Sequence, residues 1–322
     1  MINYIYQLIN PQFFSIKLCD VNTDGKVLVR PKYMSICHAD QRYYRGQRDM
    51  KILSKKLPMA LIHECCGEVL HDDTGTFKSG QMVVMIPNTP TRKLNYIYEN
   101  YDEKSKFLSS SDDGFMREFV DLSPDRVVPC DGIPPHIACI TEFYSVALHA
   151  VERMQNFAHS HRDEIAILGD GPLAYVVASS IRERIPKAHI TVIGRRVRKL
   201  ERFSFVDKTY LAYDLPKDYS CDHAFECCGG EGSYDAINDI IKHIRPQGTV
   251  LLMGVSENQI PIDTRTILEK GLTIVGSSRS GKKNFEDAVA LMQTQRIRRR
   301  LGSIIYEDAP VRNIDDIHRV FA

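Results

Sequence analysis

EIAILGDGPLA, residues 164–174, is the stretch that decides how the second half of this chain folds. It opens with a short apolar run, which is typical of a buried strand, and continues into two glycines separated by one residue. The next residues, PLAYVVASSIRERI (172–185), carry apolar side chains at helical spacing. The pattern predicts a strand, a tight turn and a helix in direct succession.

Gly169, Gly171 and Ala174 match G-x-G-x-x-G/A, a pattern that marks dinucleotide sites when it lies between a strand and a helix. Gly169 allows the tight turn, Gly171 lets the backbone approach a pyrophosphate, and Ala174 keeps the helix close to the sheet. The free N–H groups of the first helical turn, which Pro172 and Leu173 begin, attract the anion. We therefore predict a dinucleotide site at these five residues.

The second strand of this half, HITVIG (189–194), indicates which dinucleotide is bound. NAD sites carry an acid near the end of this strand for the ribose 2′-hydroxyl. Here Arg195 and Arg196 follow the strand, with Lys199 one turn later. A guanidinium can bind a 2′-phosphate that a carboxylate would repel. The pattern favours NADPH, the alternative being that these cations form a solvated helix start.

Further apolar runs at 221–230, 249–256 and 271–278 alternate with helical stretches at 233–244 and 283–295. Such alternation predicts a parallel sheet with helices on both faces, a doubly wound α/β domain of the Rossmann type over residues 151–289. The first half, residues 1–150, instead shows short strands broken by turn residues, at 26–36, 67–72, 81–88 and 118–123. We expect a partly closed β-barrel to which residues 290–322 return, with a polar excursion at 88–113.

Net charge, the absence of long apolar runs and the cysteine pattern exclude several classes of protein. A formal net charge of +1 argues against nucleic-acid binding driven by electrostatics. Neither a secretory signal nor an apolar run long enough to cross a bilayer is present in the sequence, so we expect no membrane partner and a cytoplasmic location. The nine cysteines are scattered, odd in number and without a C-x-x-C pair, which disfavours a disulfide framework and a four-cysteine zinc site.

Three stretches of the first half offer metal donors: SICHAD with Cys37 and Asp40, LIHECCGEV with His63 and Glu64, and ITEFYSVALHA with Glu142. Thiolate, imidazole and carboxylate groups are all good zinc donors. Composition alone does not select these residues, because a lone cysteine or histidine is more often structural.

The spacings C-x-x-D, H-E-x-x-G-x-V and E-x-x-S-V-x-x-H-A around a dinucleotide domain resemble the zinc-containing medium-chain alcohol and polyol dehydrogenases. The resemblance implies a GroES-like catalytic barrel. It also implies that Cys37, His63 and Glu64 bind zinc, with Glu142 as a fourth ligand or one bound through water. Asp40 would orient His63 and raise its donor strength.

Within that family the chain is similar over its whole length to the ribulose-5-phosphate reductases, in MSICHADQRYYRG, KLPMALIHE, VVMIPNTPT, DGFMREFV, RFSFVD, DHAFECCGG, ILEKGLTIVGSSRSG and NFEDAV. The resemblance implies NADPH-dependent reduction of D-ribulose 5-phosphate to D-ribitol 5-phosphate, supplying CDP-ribitol for teichoic acid or capsule. A homodimer and a cytidylyltransferase pathway partner are further implications.

Three features depart from the family. Ala39 stands where classical members carry a proton-relaying hydroxyl, so the proton has to come through Glu142, His38 or water. The excursion lacks the cysteines of a structural-zinc lobe. The sequence ends at HRVFA, where the resemblance leads us to expect a further strand and short helix.

A substrate phosphate needs cations or N–H groups, and Arg42 and Arg45 are our preferred pair because they are nearest Cys37 in sequence. Other candidates are Arg48, Lys55, Lys56 and Arg279. The competing functions are a dehydrogenase of an unphosphorylated polyol or secondary alcohol, and a non-catalytic NADPH-binding relative.

Overall fold

The computed structural model describes residues 1–92 and 95–322 and divides the chain into two compact units. Unit 1 comprises residues 1–142 and 280–322, and unit 2 comprises residues 143–279. Both divisions therefore lie earlier than the expected boundaries at residues 150 and 289. The first falls inside one continuous helix, and the second precedes a helix whose Lys282 N–H donates to Glu99 of unit 1 at 2.7 Å.

Unit 1 is an antiparallel β structure. Its strands are β1 (Ile2–Asn10), β2 (Phe13–Asp20), β3 (Val27–Ser35), β4 (Met59–Ala60), β5 (Glu64–Asp72), β6 (Met82–Met85), β7 (Asn88–Thr89), β8 (Lys106–Phe107), β9 (Val120–Leu122) and β10 (Val127–Pro129). They form a five-stranded sheet in the order β10-β6-β5-β3-β9, a three-stranded sheet β2-β1-β4 and the pair β7-β8.

The four predicted strand regions of unit 1 all contain a strand, whereas the hairpin β1–β2 is absent from the prediction. The alternation in β2 is obscured because Ile16 and Leu18 are exposed on this edge strand. Valines on the sheets, among them Val29, Val69 and Val83, are fully buried in one apolar core. Each such side chain stabilises the unit by roughly 1.5–3 kcal/mol.

The helices of the first part of the chain are α1 (His38–Tyr44), α2 (Met50–Lys56), α3 (Pro135–Ala138) and α4 (Thr141–Phe157). Short 3-10 turns lie at Glu99–Tyr101, Pro124–Arg126 and Ala212–Asp214. Cys37 is the N-cap of α1, so this candidate metal ligand lies between the end of β3 and the start of the helix.

Unit 2 is a six-stranded, wholly parallel sheet in the order β13-β12-β11-β14-β15-β16. The strands are β11 (Glu164–Leu168), β12 (His189–Gly194), β13 (Lys208–Leu211), β14 (Cys221–Glu226), β15 (Ile244–Leu252) and β16 (Thr273–Gly276), and the helices are α5 (Pro172–Arg184), α6 (Val197–Leu200), α7 (Gly232–His243) and α8 (Thr264–Lys270). The doubly wound prediction is confirmed, and β13 is an addition to it. The strand order reverses between β11 and β14, which is where such sheets bind ligands.

After unit 2 the chain returns to unit 1 through α9 (Lys282–Met292), α10 (Gln295–Gly302) and α11 (Ile314–Phe321). Phe321 of α11 is buried against Phe14 and Tyr44, with ring centroids 5.7 and 5.2 Å away. All nine cysteines are free thiols. Across residues 1–92 and 95–322, no helix combines the length and the apolar character needed to cross a membrane.

Candidate functional site

The predicted metal donors come together at the ends of three elements of unit 1. Cys37 caps α1, His63 and Glu64 lie at the start of β5, and Glu142 lies in the first turn of α4. They form two overlapping groups, one of Cys37, Asp40 and His63 and one of His63, Glu64 and Glu142. Within each group one donor atom of every residue lies within 4.8 Å of the others.

The spacing of Cys37 and His63 suits a shared tetrahedral ion. Cys37 Sγ lies 3.7 Å from His63 Nε2. Typical zinc–sulfur and zinc–nitrogen bonds of about 2.3 and 2.05 Å, at a tetrahedral angle, place the two donors about 3.6 Å apart. The two side chains therefore need little movement to bind one zinc ion.

The electrostatics of the cluster also call for a cation. Burial, followed by the nearby charge of Glu142, raises the pKa of Glu64 well above its ordinary value. Burial, followed by the charges of Asp40 and Glu64, does the same to the pKa of the Cys37 thiol. Gathering acidic groups away from water is costly unless a positive charge compensates them. The donor set and its burial fit zinc.

Asp40 does not make the expected contact with His63. One of its oxygens accepts from the Ile62 N–H at 3.0 Å and from the Ser109 hydroxyl at 3.1 Å, and the other accepts from the Cys37 N–H at 3.1 Å. The buried Nδ1 of His63 has no hydrogen-bond partner among the described residues. Asp40 instead positions both ligand-bearing segments through their backbone N–H groups.

Two residues of the excursion belong to this site and are missing from the prediction. Ser109 donates to Asp40, and the ring of Phe107 meets that of His63 edge-on at 5.4 Å between centroids. No local pattern marks either residue, since both reach the cluster only through the fold of the β7–β8 segment.

The glycine loop of unit 2 has the shape that a dinucleotide requires. Gly169 has a φ of 136°, and a Cβ built there would lie 2.9 Å from the Cys227 carbonyl oxygen. A Cβ on Gly171, by contrast, would meet no protein atom within 4 Å. Gly171 caps α5, which starts at Pro172, continues through Leu173 and buries Ala174 against the sheet. Open space therefore lies beside the helix N-terminus, where a pyrophosphate binds.

A carboxylate does lie at the end of β12, although the strand itself carries none. Asp170, from the glycine loop, accepts through Oδ2 from the N–H groups of Arg195 and Arg196 at 2.8 and 2.9 Å. Its other oxygen lies 3.8 Å from Lys199 Nζ. The Arg195 guanidinium pairs with Asp235 at 2.9 Å on an exposed surface. Asp170 thus holds the turn that carries both arginines.

Both members of the preferred phosphate-binding pair donate to backbone carbonyl groups. Arg42 donates through Nε and Nη2 to the Gln47 carbonyl at 3.3 and 3.2 Å, and Arg45 donates to the Ala322 carbonyl.

Comparison with known proteins agrees with this arrangement. The family model described as Alcohol dehydrogenase GroES-like domain matches residues 23–134, and the one described as Zinc-binding dehydrogenase matches residues 207–294. A protein of Streptococcus pneumoniae named ribulose-5-phosphate reductase is 55% identical over 100% of this chain and 94% of its own length. Ribulose-5-phosphate reductase 1 of Staphylococcus aureus is 46% identical over 100% and 95%.

A solved structure leads to the same family. The crystal structure of S. aureus TarJ in complex with NADPH superimposes with a TM-score of 0.89 at 42% identity, covering 100% of this chain and 95% of that one. The chain therefore belongs to the zinc-binding alcohol dehydrogenases with a GroES-like domain, in the branch that holds these ribulose-5-phosphate reductases.

Proposed function

We propose that this chain reduces D-ribulose 5-phosphate to D-ribitol 5-phosphate, with NADPH as hydride donor and zinc as Lewis acid. The observation that carries the chemistry is the buried cluster in which Cys37 Sγ lies 3.7 Å from His63 Nε2 beside two carboxylates. The names of the relatives supply the substrate.

Zinc, when bound, polarises the ketone oxygen, while the nicotinamide supplies the hydride. Cys37, His63 and Glu64 would hold the metal, and Glu142 would bind it directly or through water. Three ligands of this set are anionic when ionised, so their charge offsets that of Zn²⁺. Asp40 fixes the segments that carry Cys37 and His63. Ala39 has no hydroxyl, so the proton for the product alkoxide comes through Glu142, His38 or water.

The open space at Gly171 would hold the pyrophosphate of NADPH, and the turn after β12 would hold its 2′-phosphate. Arg195 and Arg196 are exposed there, and Asp170 holds their backbone. The pair of Arg195 with Asp235 is solvent-exposed and therefore weak, so a 2′-phosphate can replace the Asp235 carboxylate at little cost. The NADPH complex of TarJ supports the same coenzyme here.

The family resemblance extends the proposal to partners. We expect a homodimer, which light scattering after gel filtration tests directly. The product is the substrate that a cytidylyltransferase needs to make CDP-ribitol for teichoic acid or capsule. A cytoplasmic location follows from the use of NADPH and agrees with nine free thiols.

The test is NADPH oxidation with D-ribulose 5-phosphate, run beside D-ribulose and beside NADH, with zinc measured on the same sample. We expect one zinc ion per chain and fast turnover only with the phosphate ester and NADPH. Equal rates with D-ribulose would favour a dehydrogenase of unphosphorylated polyols. Bound zinc without turnover would favour a non-catalytic NADPH-binding protein.

Two matched variants separate the metal site from the other thiols. C37A should lose zinc and turnover together, because it removes the only thiolate of the cluster. C19A removes another incompletely buried thiol that lies outside the cluster, and it should retain both. Retention of zinc and activity in C37A would refute the assigned metal site.

A further inference from the structure

The guanidinium of Arg48 lies over the ring of Tyr43, and one of its N–H groups has no acceptor within the described part of the chain. The Arg48 guanidinium carbon lies 4.3 Å from the centroid of the Tyr43 ring. The Nε of Arg48 is buried and has no hydrogen-bond partner in residues 1–92 and 95–322. A buried guanidinium N–H without an acceptor is uncommon and indicates that a ligand supplies one.

The neighbouring arginines differ in this respect. The guanidiniums of Arg42 and Arg45 both donate to backbone carbonyls, as described above. Arg48 instead lies over an aromatic face, which holds the planar group in one orientation. Such a group is pre-organised for a bidentate anion.

The pair is connected to the metal cluster by one helical turn. Tyr43 follows Asp40 by three residues on α1, and both are buried, so they share one face of the helix. Burial raises the pKa of the Tyr43 hydroxyl, and the charges of Arg48 and Asp40 act on it in opposite directions. The hydroxyl therefore lies within electrostatic reach of both Arg48 and the carboxylate that positions Cys37.

The proposed substrate sets how far its phosphate would lie from a carbonyl held at the metal. Five covalent bonds separate C2 of a ketopentose 5-phosphate from its phosphorus atom, an extended span of about 6 Å if three backbone bonds cover ~3.5 Å. A phosphate dianion takes two parallel N–H donors from one guanidinium, and a phenol adds a third donor.

We infer that Arg48, seated on Tyr43, binds the substrate phosphate in place of the pair Arg42 and Arg45; this rests on the proposed reduction of a phosphorylated ketopentose. Arg48 is a specificity residue under this assignment, because an unphosphorylated sugar makes no use of it. Replacing Arg48 should therefore lower kcat/KM for D-ribulose 5-phosphate and leave kcat/KM for D-ribulose unchanged.

The test compares R48Q and R48K with the wild-type enzyme in kcat and KM for D-ribulose 5-phosphate and for D-ribulose. R48Q should lose about 10- to 100-fold in kcat/KM for the phosphate ester, mainly through KM, as expected for a hydrogen-bonded charge pair. R48K should recover part of the loss in kcat/KM, since lysine keeps the positive charge but lacks the two parallel N–H donors of a guanidinium. Neither should change kcat/KM for D-ribulose.

R30Q is the matched control, because Arg30 also lies over an aromatic ring of unit 1, that of Phe119 at 5.4 Å, and is exposed. It should leave both substrates unaffected. Equal losses on both substrates in R48Q would overturn the assignment, as would larger losses in R42Q or R45Q.

Calorimetric binding of D-ribitol 5-phosphate and D-ribitol distinguishes this inference from the proposed function. Wild-type protein that binds the phosphate ester through Arg48 but does not reduce D-ribulose 5-phosphate would refute the function and support the phosphate site. Failure of the wild type to prefer the phosphate ester over D-ribitol would overturn the site itself.

Discussion

Replacing Asp170 by alanine should weaken the binding of NADPH far more than that of NADH. The substitution removes the acceptor of the Arg195 and Arg196 N–H groups, which are 2.8 and 2.9 Å from Oδ2. Hydrogen bonds to a charged acceptor contribute about 1.5–3 kcal/mol each, and water can partly replace the acceptor at exposed residues, so we take about 1 kcal/mol each. A total of about 2 kcal/mol corresponds to roughly a 30-fold increase in Kd.

The assay is a titration of nucleotide fluorescence with wild-type protein, D170A and D170N. D170N keeps an oxygen that can accept from both N–H groups, so its Kd for NADPH should stay within about threefold of the wild type. NADH has no 2′-phosphate and should be little affected by either change. Equal weakening of both nucleotides in D170A would refute the reasoning, because the carboxylate would then serve only the general shape of the loop.

Three further changes test other parts of the structure. G171V should raise the Kd for NADPH at least about tenfold without lowering the melting temperature, because its side chain enters space free of protein atoms but needed by the coenzyme; unchanged binding would place the coenzyme elsewhere. Burial, followed by the charge of His159, lowers the pKa of His223 to about 4. The unfolded chain therefore takes up a proton between about pH 6.5 and 4 that the folded chain does not, so the free energy of unfolding should fall by about 2 kcal/mol from pH 7 to pH 5. In urea titrations H223Q should lack this part of the decrease, and an identical pH profile would contradict the assignment. R126M should lower the free energy of unfolding by about 3 kcal/mol, since it leaves Glu99 without the buried guanidinium 2.8 Å away; a loss below about 1 kcal/mol in the same urea assay would show that water compensates Glu99.

The order of strands and helices in unit 2 could be predicted from the sequence, because most of these elements have the apolar pattern typical of their own secondary structure. Apolar runs ending in glycine marked β11 and β12, and the glycine spacing placed the coenzyme loop between β11 and α5. β13 escaped prediction because Lys208–Leu211 is an edge strand with exposed and half-buried residues and no apolar run. In the N-terminal hairpin, β2 is also an edge strand, and its Ile16 and Leu18 are exposed.

The candidate metal donors could be predicted from the sequence for a different reason. Their residue types and spacings resemble a family, and the structure brings Cys37, His63, Glu64 and Glu142 into two groups that share His63. The roles of the residues around these donors were harder to predict from the sequence. Asp40 was expected to contact the His63 ring but hydrogen-bonds backbone N–H groups and Ser109, which lies 69 residues away in sequence.

The sequence by itself determined the two kinds of domain and the coenzyme loop, because these depend on local apolar periodicity and on the spacing of glycines. Its resemblance to a family indicated the class of the protein and the dispersed candidate ligands. Tertiary structure alone decided which polar groups are satisfied. It brought Asp170 to the end of β12 and placed carbonyl oxygens against Arg42 and Arg45. It also placed Arg48 over Tyr43, with a buried N–H that has no acceptor among the described residues. Hydrogen-bond partners depend on which distant segments the fold places side by side, and no spacing within one segment encodes that.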